Sequence, residues 1–403
     1  MVLAGRVTLP PILSHDGRPA QGDVTVLVAP DAFKGSLTAG AAAAAMRLGV
    51  EDALPLARVT ELPLADGGDG SVDAAVRAGY QPHSVTVRGP TGSPVDSVIA
   101  LHLGRAIVEV ANTCGLLLLP GGRLEPLASS TAGLGDAVLA ALTLGATEVV
   151  VCLGGSASTD GGAGLLQALG AVLTGAGGEP VTATGGSLAS IATLDLDGLD
   201  PRVRAARFVA ATDVDSPLTG ERGAAAVFAP QKGADAGTVV RLDAALAAWG
   251  RVLARTTGRD VTEAPGAGAA GGTGAALLAA LSAERVSGAA YLQDLTGLPH
   301  ALAGSDLVVT GEGRLDAQSA LGKGAMSVAV RAQAMGVACV MVCGAIDVGT
   351  QDLERVGVQS TATIMGLARD SDDAMRRAGD LLRQATREAV LRAVTAPGGA
   401  APR

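Results

Sequence analysis

An α/β fold with a parallel sheet follows from two features of the 403-residue sequence. Short β-branched runs alternate with longer Ala- and Leu-rich helical segments, the pattern in which each strand feeds a crossover helix. Hydrophobic residues make up 48% of the chain but aromatics only 1%, beside 57 glycines. The cores must therefore be built from Ala, Val and Leu, and small side chains with free glycine turns favour close helix–sheet packing. Length alone suggests two or three domains.

Taken in order, residues 1–22 carry Pro10, Pro11 and Pro19 without a hydrophobic run of the signal-peptide kind, and read as a loose extension. Val24 to Val28 predicts a strand, and Leu37 to Val50 a helix with Ser36 as N-cap. Ile107 to Val110 is a short strand, Thr131 to Leu144 a helix, and Glu148 to Leu153 a strand entering the densest glycine loop of the chain. Gly164 to Val172 then reads as helix, Arg207 to Thr212 as strand, and Gly237 to Thr256 as a long helix carrying the single tryptophan, Trp249. The uncharged Pro265 to Gly274 is a glycine turn feeding the helix Ala275 to Leu281. Strand Leu307 to Thr310, helix Ala325 to Met335, strands Ala338 to Cys343 and Gln359 to Ile364, and an amphipathic helix Asp372 to Val394 complete the pattern. The tail after Ala396 is expected to be disordered, and no internal repeat is visible.

Composition excludes several function classes. A net charge of −9 without a basic run argues against a nucleic-acid partner. No apolar stretch reaches the ~18 residues needed to span a bilayer. Cys114, Cys152, Cys339 and Cys343 lack metal-type spacing, and His15, His83, His102 and His300 form no ligand cluster. Cys339 and Cys343 read as buried thiols on one strand face. A cytoplasmic protein without disulfides, zinc or haem is expected.

The chain has only three lysines, and each precedes a glycine: Lys34, Lys232 and Lys323. Arginine serves everywhere else that a cation is needed. A compact ammonium beside a glycine, whose backbone N–H can approach the same anion, suits phosphate oxygens.

Five segments share one grammar, in which an apolar strand ends and Gly, Ser/Thr and carboxylates follow at once, where open α/β sheets bind ligands. Ala29 to Ser36 places Asp31, Lys34 and Ser36 at a helix start. Ala65 to Asp73 sets Asp66 and Asp69 around a glycine pair, able to orient a substrate hydroxyl or a Mg²⁺-bound water. Gly154 to Gly164 carries Gly155, Ser156, Ser158, Thr159, Asp160, Gly161 and Gly162, and suits an anion-binding concavity of successive amides. It matches neither the Walker A pattern nor the dinucleotide fingerprint. Ala211 to Leu218 places Asp213 and Asp215 at a strand end, followed by Lys232. Thr310 to Lys323 supplies Gly311, Glu312, Gly313, Arg314, Asp316, Ser319, Gly322 and Lys323, with Arg314 able to grip a carboxylate or phosphate by two parallel bonds.

The inventory is amide cradles, three ammonium groups and several carboxylates, without a thiol–His pair or a Ser–His–Asp ordering. Phosphoryl transfer needs positioning, cations around the γ-phosphate, Mg²⁺ and a base for the acceptor hydroxyl. That chemistry fits better than hydride transfer or hydrolysis. A nicotinamide-dependent sugar-acid dehydrogenase and a non-catalytic sugar-acid sensor are the rival readings.

The strings APDAFKGSLTA, LADGGDGS, GGSASTDGGAGLLQALG, ATDVDSPL, AVFAPQKGA, PGAGAAGGTGAALL and DLVVTGEGRLDAQSALGKG, in this order, resemble the bacterial glycerate kinase family of the glycerate 2-kinase type over roughly residues 24 to 395. The second motif has Asp69 where glutamate is common in the family, and Asn112 to Pro126 is less typical. The resemblance implies transfer of the ATP γ-phosphate to D-glycerate, giving 2-phosphoglycerate, with 3-phosphoglycerate the lesser alternative. It implies two α/β domains: a Rossmann- or flavodoxin-like domain of residues 23–75 plus 285–396, and an inserted mixed α/β domain of 76–284. The extension 1–22 and tail 397–403 flank them, and the active site is expected in the cleft between the domains. Roles follow from it. Lys34, Arg314 and Lys323 compete for the glycerate carboxylate and the phosphates, with Arg314 favoured for the carboxylate. Asp66 or Asp213 accepts the hydroxyl proton, with Asp213 preferred. Asp31, Ser36, Asp69 and Asp316 contact substrate, and Glu312 and Asp316 order the cations. The loop from Gly155 to Gly162, with Lys232, Gly311 and Lys323, holds phosphate, and Asp160 faces Mg²⁺. A monomer or homodimer is expected.

Overall fold

A computed structural model describes residues 24–33, 35–65, 67–316 and 324–395. The expectations for 1–22, Lys34, Asp66, Ser319, Gly322, Lys323 and 397–403 lie outside the described residues. The chain divides into two compact units, one formed by residues up to 65 together with 293 onward, the other Asp66–Leu292.

In chain order the first unit opens with strands β1 (Thr25–Val28) and β2 (Arg58–Glu61). The second unit follows with β3 (Gln81–Arg88), β4 (Pro94–His102), β5 (Arg105–Glu109), β6 (Glu148–Cys152), β7 (Val172–Thr174), β8 (Thr193–Asp195), β9 (Arg207–Ala211) and β10 (Glu284–Val286). The chain then returns to the first unit with β11 (Leu307–Thr310), β12 (Arg314–Leu315), β13 (Ala338–Cys343), β14 (Ala345–Ile346) and β15 (Val358–Thr363).

The main sheet of the first unit has the order β15-β13-β11-β1-β2, with every pairing parallel. Counted within the unit this is 2-1-3-4-5, the flavodoxin-like order, whose topological switch point falls between β1 and β11. The two-residue side-chain period explains its layers. Val26, Val28, Leu307, Val309, Val340 and Val342 turn to one face, under helices Ala39–Ala53 and Ala378–Thr395. Leu27, Val308, Cys339, Met341 and Cys343 turn to the other, under helices Leu298–Ala303 and Gly324–Met335. With both faces covered, β13 is buried from end to end, as a parallel strand must be. All four cysteines are free and buried, Cys339 and Cys343 together on one face as expected.

The sheet of the second unit runs β10-β9-β6-β5-β4-β3. Its first four strands are parallel, and β4 and β3 are antiparallel additions at one edge. This is the mixed α/β arrangement expected of the middle region. Its core is made of Ala, Val and Leu around the fully buried Trp249.

Three local expectations are corrected. Helix Ala39–Ala53 starts later, and its N-cap is Thr38, whose Oγ1 accepts from the Ala41 amide. Ser36 Oγ instead donates to the Phe33 carbonyl in a tight turn around Gly35, which has φ +84. The segment after the glycine loop is helical only over Ala163–Ala168, because Gly170 at φ +107 turns the chain into β7. The last helix is two: Ser371–Arg376, capped by Asp370, and Ala378–Thr395. Among the described residues no helix is long and apolar enough to cross a membrane.

Candidate active site

In the second unit, the segments that follow β5, β6, β9 and β10 pack on one another at the carboxyl edge of the sheet. Beyond β6 the chain passes through Gly155, Gly161 and Gly162, all at positive φ. This loop is strapped from several sides. Leu116 N donates to the Gly155 carbonyl at 2.9 Å, Ala157 N to the Cys114 carbonyl at 3.0 Å, and Gly161 N to the Gly271 carbonyl at 3.0 Å. Trp249 Nε1 donates to the Gly161 carbonyl at 2.8 Å. Gly271 lies in three successive left-handed residues, Ala270 to Gly272, and a Cβ on it would stand 2.1 Å from the Ser158 carbonyl. The Pro265 to Gly274 stretch is therefore a wedge against the loop as well as the lead into a helix.

The strapping turns most of the loop inward. Ser156 is 5% exposed, and Ser158, Thr159 and Asp160 are fully buried. Lys232 is 2% exposed, and its Nζ donates to Ser156 Oγ at 2.8 Å and to the Ser158 carbonyl at 2.5 Å. Burial pushes the Lys232 ammonium down to about 8, against the opposing pull of the Asp160 carboxylate. Ser156, Ser158, Gly161, Gly162 and Lys232, expected to contact phosphate, are turned to the interior and hold the loop. Gly155 is the exposed point.

Asp160 is corrected too. Its Oδ2 accepts from Thr131 N and Oγ1, both at 2.8 Å, and from Gly164 N and Ser130 Oγ, while Oδ1 accepts from Gly162 N. A carboxylate so enclosed does not fit a Mg²⁺ that must keep its waters and bridge phosphates. Desolvation raises its proton affinity and these donors lower it. Among the described residues, no group of three or more His, Cys, Asp or Glu is placed to hold a metal ion.

The segment Gly67 to Gly70 lies across the neighbouring strand ends. A Cβ on Gly154 would sit 2.3 Å from Gly68 Cα, and one on Gly67 would sit 2.8 Å from Gly288 Cα. Only glycine permits either approach. Asp69 is exposed at this segment. Glu109, the last residue of β5, receives Gly70 N at 3.1 Å and Val72 N at 3.0 Å on its two oxygens.

Asp213, half-buried beyond β9, accepts from Ser287 Oγ at 2.6 Å and Ala289 N at 2.9 Å, so β10 and the helix after it fix its orientation. Asp215 turns away to pair with Arg285.

In the first unit the switch point brings other expected residues together. Asp31 N donates to the Gly311 carbonyl at 2.8 Å, and Thr310 Oγ1 to the Ala29 carbonyl at 2.7 Å. A Cβ on Gly324 would meet Asp31 Oδ2 at 3.4 Å and both Glu312 carboxylate oxygens at 3.5 Å, so these carboxylates converge on the start of helix Gly324–Met335. Arg314 is exposed on β12 and pairs with Asp347 at 3.3 Å. Asp316 and Ser36 are half-buried nearby in sequence to these segments.

Glu109, Ser287 and Thr131 escaped sequence reasoning. Each is a single polar residue at an element end, and only the fold shows what it holds.

Fold and strand-end loops together define a two-unit α/β enzyme whose glycine-rich segments gather at the strand ends. The glycerate kinase family model matches residues 26–395, and the chain belongs to that family. It is similar to the glycerate kinase of Halalkalibacterium halodurans, 38% identical over 90% of this chain and 96% of that protein. It is equally similar to the glycerate 2-kinase of Escherichia coli K12, 38% identical with the same coverage. A crystal structure assigned to glycerate kinase 2 of Salmonella typhimurium LT2 superposes with TM-score 0.74 at 36% identity, covering 91% of this chain and 97% of that one. These matches support a kinase acting on an alcohol group with ATP as co-substrate, and lend nothing to the dehydrogenase or sensor readings.

Proposed function

We propose that the protein transfers the γ-phosphoryl group of ATP to the 2-hydroxyl of D-glycerate, giving 2-phosphoglycerate and ADP. The observation that carries this reading is the likeness to glycerate 2-kinase over nine-tenths of the chain.

In this reading the Gly154–Gly155 tip and the Gly67–Gly70 segment lie closest to the phosphates, while Lys232, Ser156, Ser158, Asp160, Gly161 and Gly162 keep the tip in shape. Asp213 accepts the proton of the 2-hydroxyl as that oxygen bonds to the γ-phosphorus and the bond to the β–γ bridging oxygen breaks. Ser287 and Ala289 leave lone pairs on its carboxylate for this proton. The exposed Arg314 fork takes the glycerate carboxylate, exchanging its Asp347 partner for the substrate. Asp31, Ser36, Asp69 and Asp316 complete the substrate contacts, and Gly311 and Glu312 order that edge. Lys34 and Lys323 serve the phosphates and the glycerate carboxylate in this proposal, and Asp66 is the second candidate for the base. Mg²⁺ enters with ATP, neutralising phosphate charge when bound; no protein ligand is assigned to it. Four free, buried thiols accord with a reducing cytoplasmic setting.

The test is incubation of the protein with Mg·ATP and D-glycerate, with the phosphoglycerate isomer assigned by phosphorus NMR. A 3-phosphoglycerate product, or no phosphoglycerate, refutes it.

A further inference from the structure

We propose that Glu109 is a positioning residue whose buried carboxyl group holds the Gly67–Gly70 segment against the strand ends, making the reaction dependent on its charge state. The proposal rests on the glycerate kinase reading above for its activity readout, and on geometry for its physical content.

The geometry is specific. Glu109 is 2% exposed, yet it is no ordinary core side chain. Its two oxygens take two backbone donors, Gly70 N and Val72 N, one oxygen for each. Ser71 Oγ closes the same turn on the Gly68 carbonyl at 2.7 Å. The turn so held is the one whose Gly67 and Gly68 backbone touches Gly288 and Gly154. A shift in it therefore moves Asp69 and the Gly154–Gly155 tip together.

A buried carboxyl with two like charges nearby is reluctant to ionise. Asp69 faces Glu109 from the turn and Asp73 from helix Ser71–Arg77. On the same sheet face, β6 brings the Cys152 thiol in register with it, while Cys114 packs on the opposite face with Val108 and Val110. The remaining charges on adjoining elements lie farther off. Glu148 and His102 are in register with Arg105 at the opposite end of β5, Asp96 is opposite Thr86 on β3, and Arg77 is in the last turn of its helix. Burial, first, and the two aspartates push the Glu109 carboxyl up to about 7, while the backbone donors of Val72 and Gly70 pull it down. Either form can accept from the two amides, but the ionised one bears the cost of burial and of the two aspartates. Opening the turn returns the carboxyl to water, where it ionises near the ordinary 4.5, so its hold on the turn is full below that value and is lost as pH rises through about 7.

The experiment has two arms on the full-length protein. In the first, amide exchange of the peptide spanning 67–77 is followed by mass spectrometry against pH without substrate, corrected for intrinsic rates. Protection falling as pH rises through ~7 is expected in wild type, and a pH-independent protection in Glu109→Gln. In the second, kcat/KM for glycerate should fall with rising pH at an apparent pKa near 7 in wild type, and lose that limb in Glu109→Gln, whose amide sets a donor against one of the two N–H groups and lowers the plateau about 10²-fold. Glu109→Asp, which keeps the charge, should restore the limb in part. Flat protection in wild type overturns the proposal whatever the substrate proves to be, and so does a Glu109→Gln enzyme with an unchanged limb. Titrating protection without glycerate turnover upholds Glu109 and removes the substrate reading instead.

Discussion

The Lys232 ammonium donates to the Ser156 hydroxyl at 2.8 Å inside the second unit, with the Ser158 carbonyl as its other acceptor. This ties a residue distant in sequence to the underside of the glycine loop. Replacing Lys232 with Met leaves a buried hydroxyl and carbonyl without their donor, at a cost of about 1–3 kcal/mol. The sign of the pH effect follows from its depressed pKa. The folded group titrates at about 8 and the unfolded one near 10.5, so between these values the unfolded chain holds more protons. Wild-type stability therefore gains from this site as pH rises across that window, and the deficit of Lys232→Met grows with it. Urea unfolding of both proteins at about pH 7 and about pH 10 checks this; a deficit that shrinks on raising the pH contradicts it.

Trp249, the single tryptophan, turns the loop into its own reporter. Its indole donates to the Gly161 carbonyl, and a Cβ on Gly161 would stand 2.3 Å from its ring. If the Gly154–Gly155 tip meets the nucleotide, saturating Mg·ATP should change the intensity or maximum of tryptophan emission. Lys232→Met, with its loop loosened, should show the change at higher nucleotide concentration. Emission that ignores ATP while turnover proceeds would place the nucleotide elsewhere.

Asp213 and Ser287 offer a way to separate chemistry from orientation. Asp213→Asn keeps an acceptor for Ser287 or Ala289 but removes the base, so kcat should fall by roughly 10²–10⁴-fold. Ser287→Ala removes one bond to the carboxylate and leaves the charge, so kcat should fall by about tenfold or less. A Ser287→Ala enzyme as impaired as Asp213→Asn, with intact stability, would move the base role away from Asp213.

Much of this was legible in the sequence, for a physical reason. Strands such as β11 and β13 are apolar on both faces because helices cover both, and such runs stand out beside Ala-rich helices. The antiparallel pair β3 and β4 was not legible in the same way. Along QPHSVTVR exposed residues alternate with half-buried ones, Val87 alone being buried, and the GPTGS turn between the strands was the one available signal. In the site, glycine loops and their carboxylates announced themselves, but side-chain direction did not. Nothing in GGSASTDGGAG tells that Asp160 turns inward to five donors while Asp69, in a loop of similar composition, is exposed. That difference comes from the packing of Trp249 and Gly271 against one loop. Lys232 stands out in the sequence for its rarity, and the contacts observed for it are internal.

Gly154 gives the sharpest steric test, because two backbones meet there. An alanine Cβ would lie 2.3 Å from Gly68 Cα, and neither partner is a flexible side chain able to swing aside. One of the two segments must retreat. Overpacking of this kind costs about 1–3 kcal/mol, which a core of this size can absorb without unfolding. Activity is more sensitive, since a displacement near 1 Å between catalytic segments can cost about 10²-fold. Gly154→Ala is therefore expected to stay folded by circular dichroism, lose about 10²-fold in kcat/KM for glycerate, and show reduced amide protection over 67–77. Gly145→Ala, at a positive-φ turn where a Cβ meets nothing within 4 Å, serves as the comparison: its backbone strain lowers stability while kcat/KM stays within about twofold of wild type. Equal activity losses in the two variants would show that general destabilisation, and not the meeting of these two loops, sets the rate.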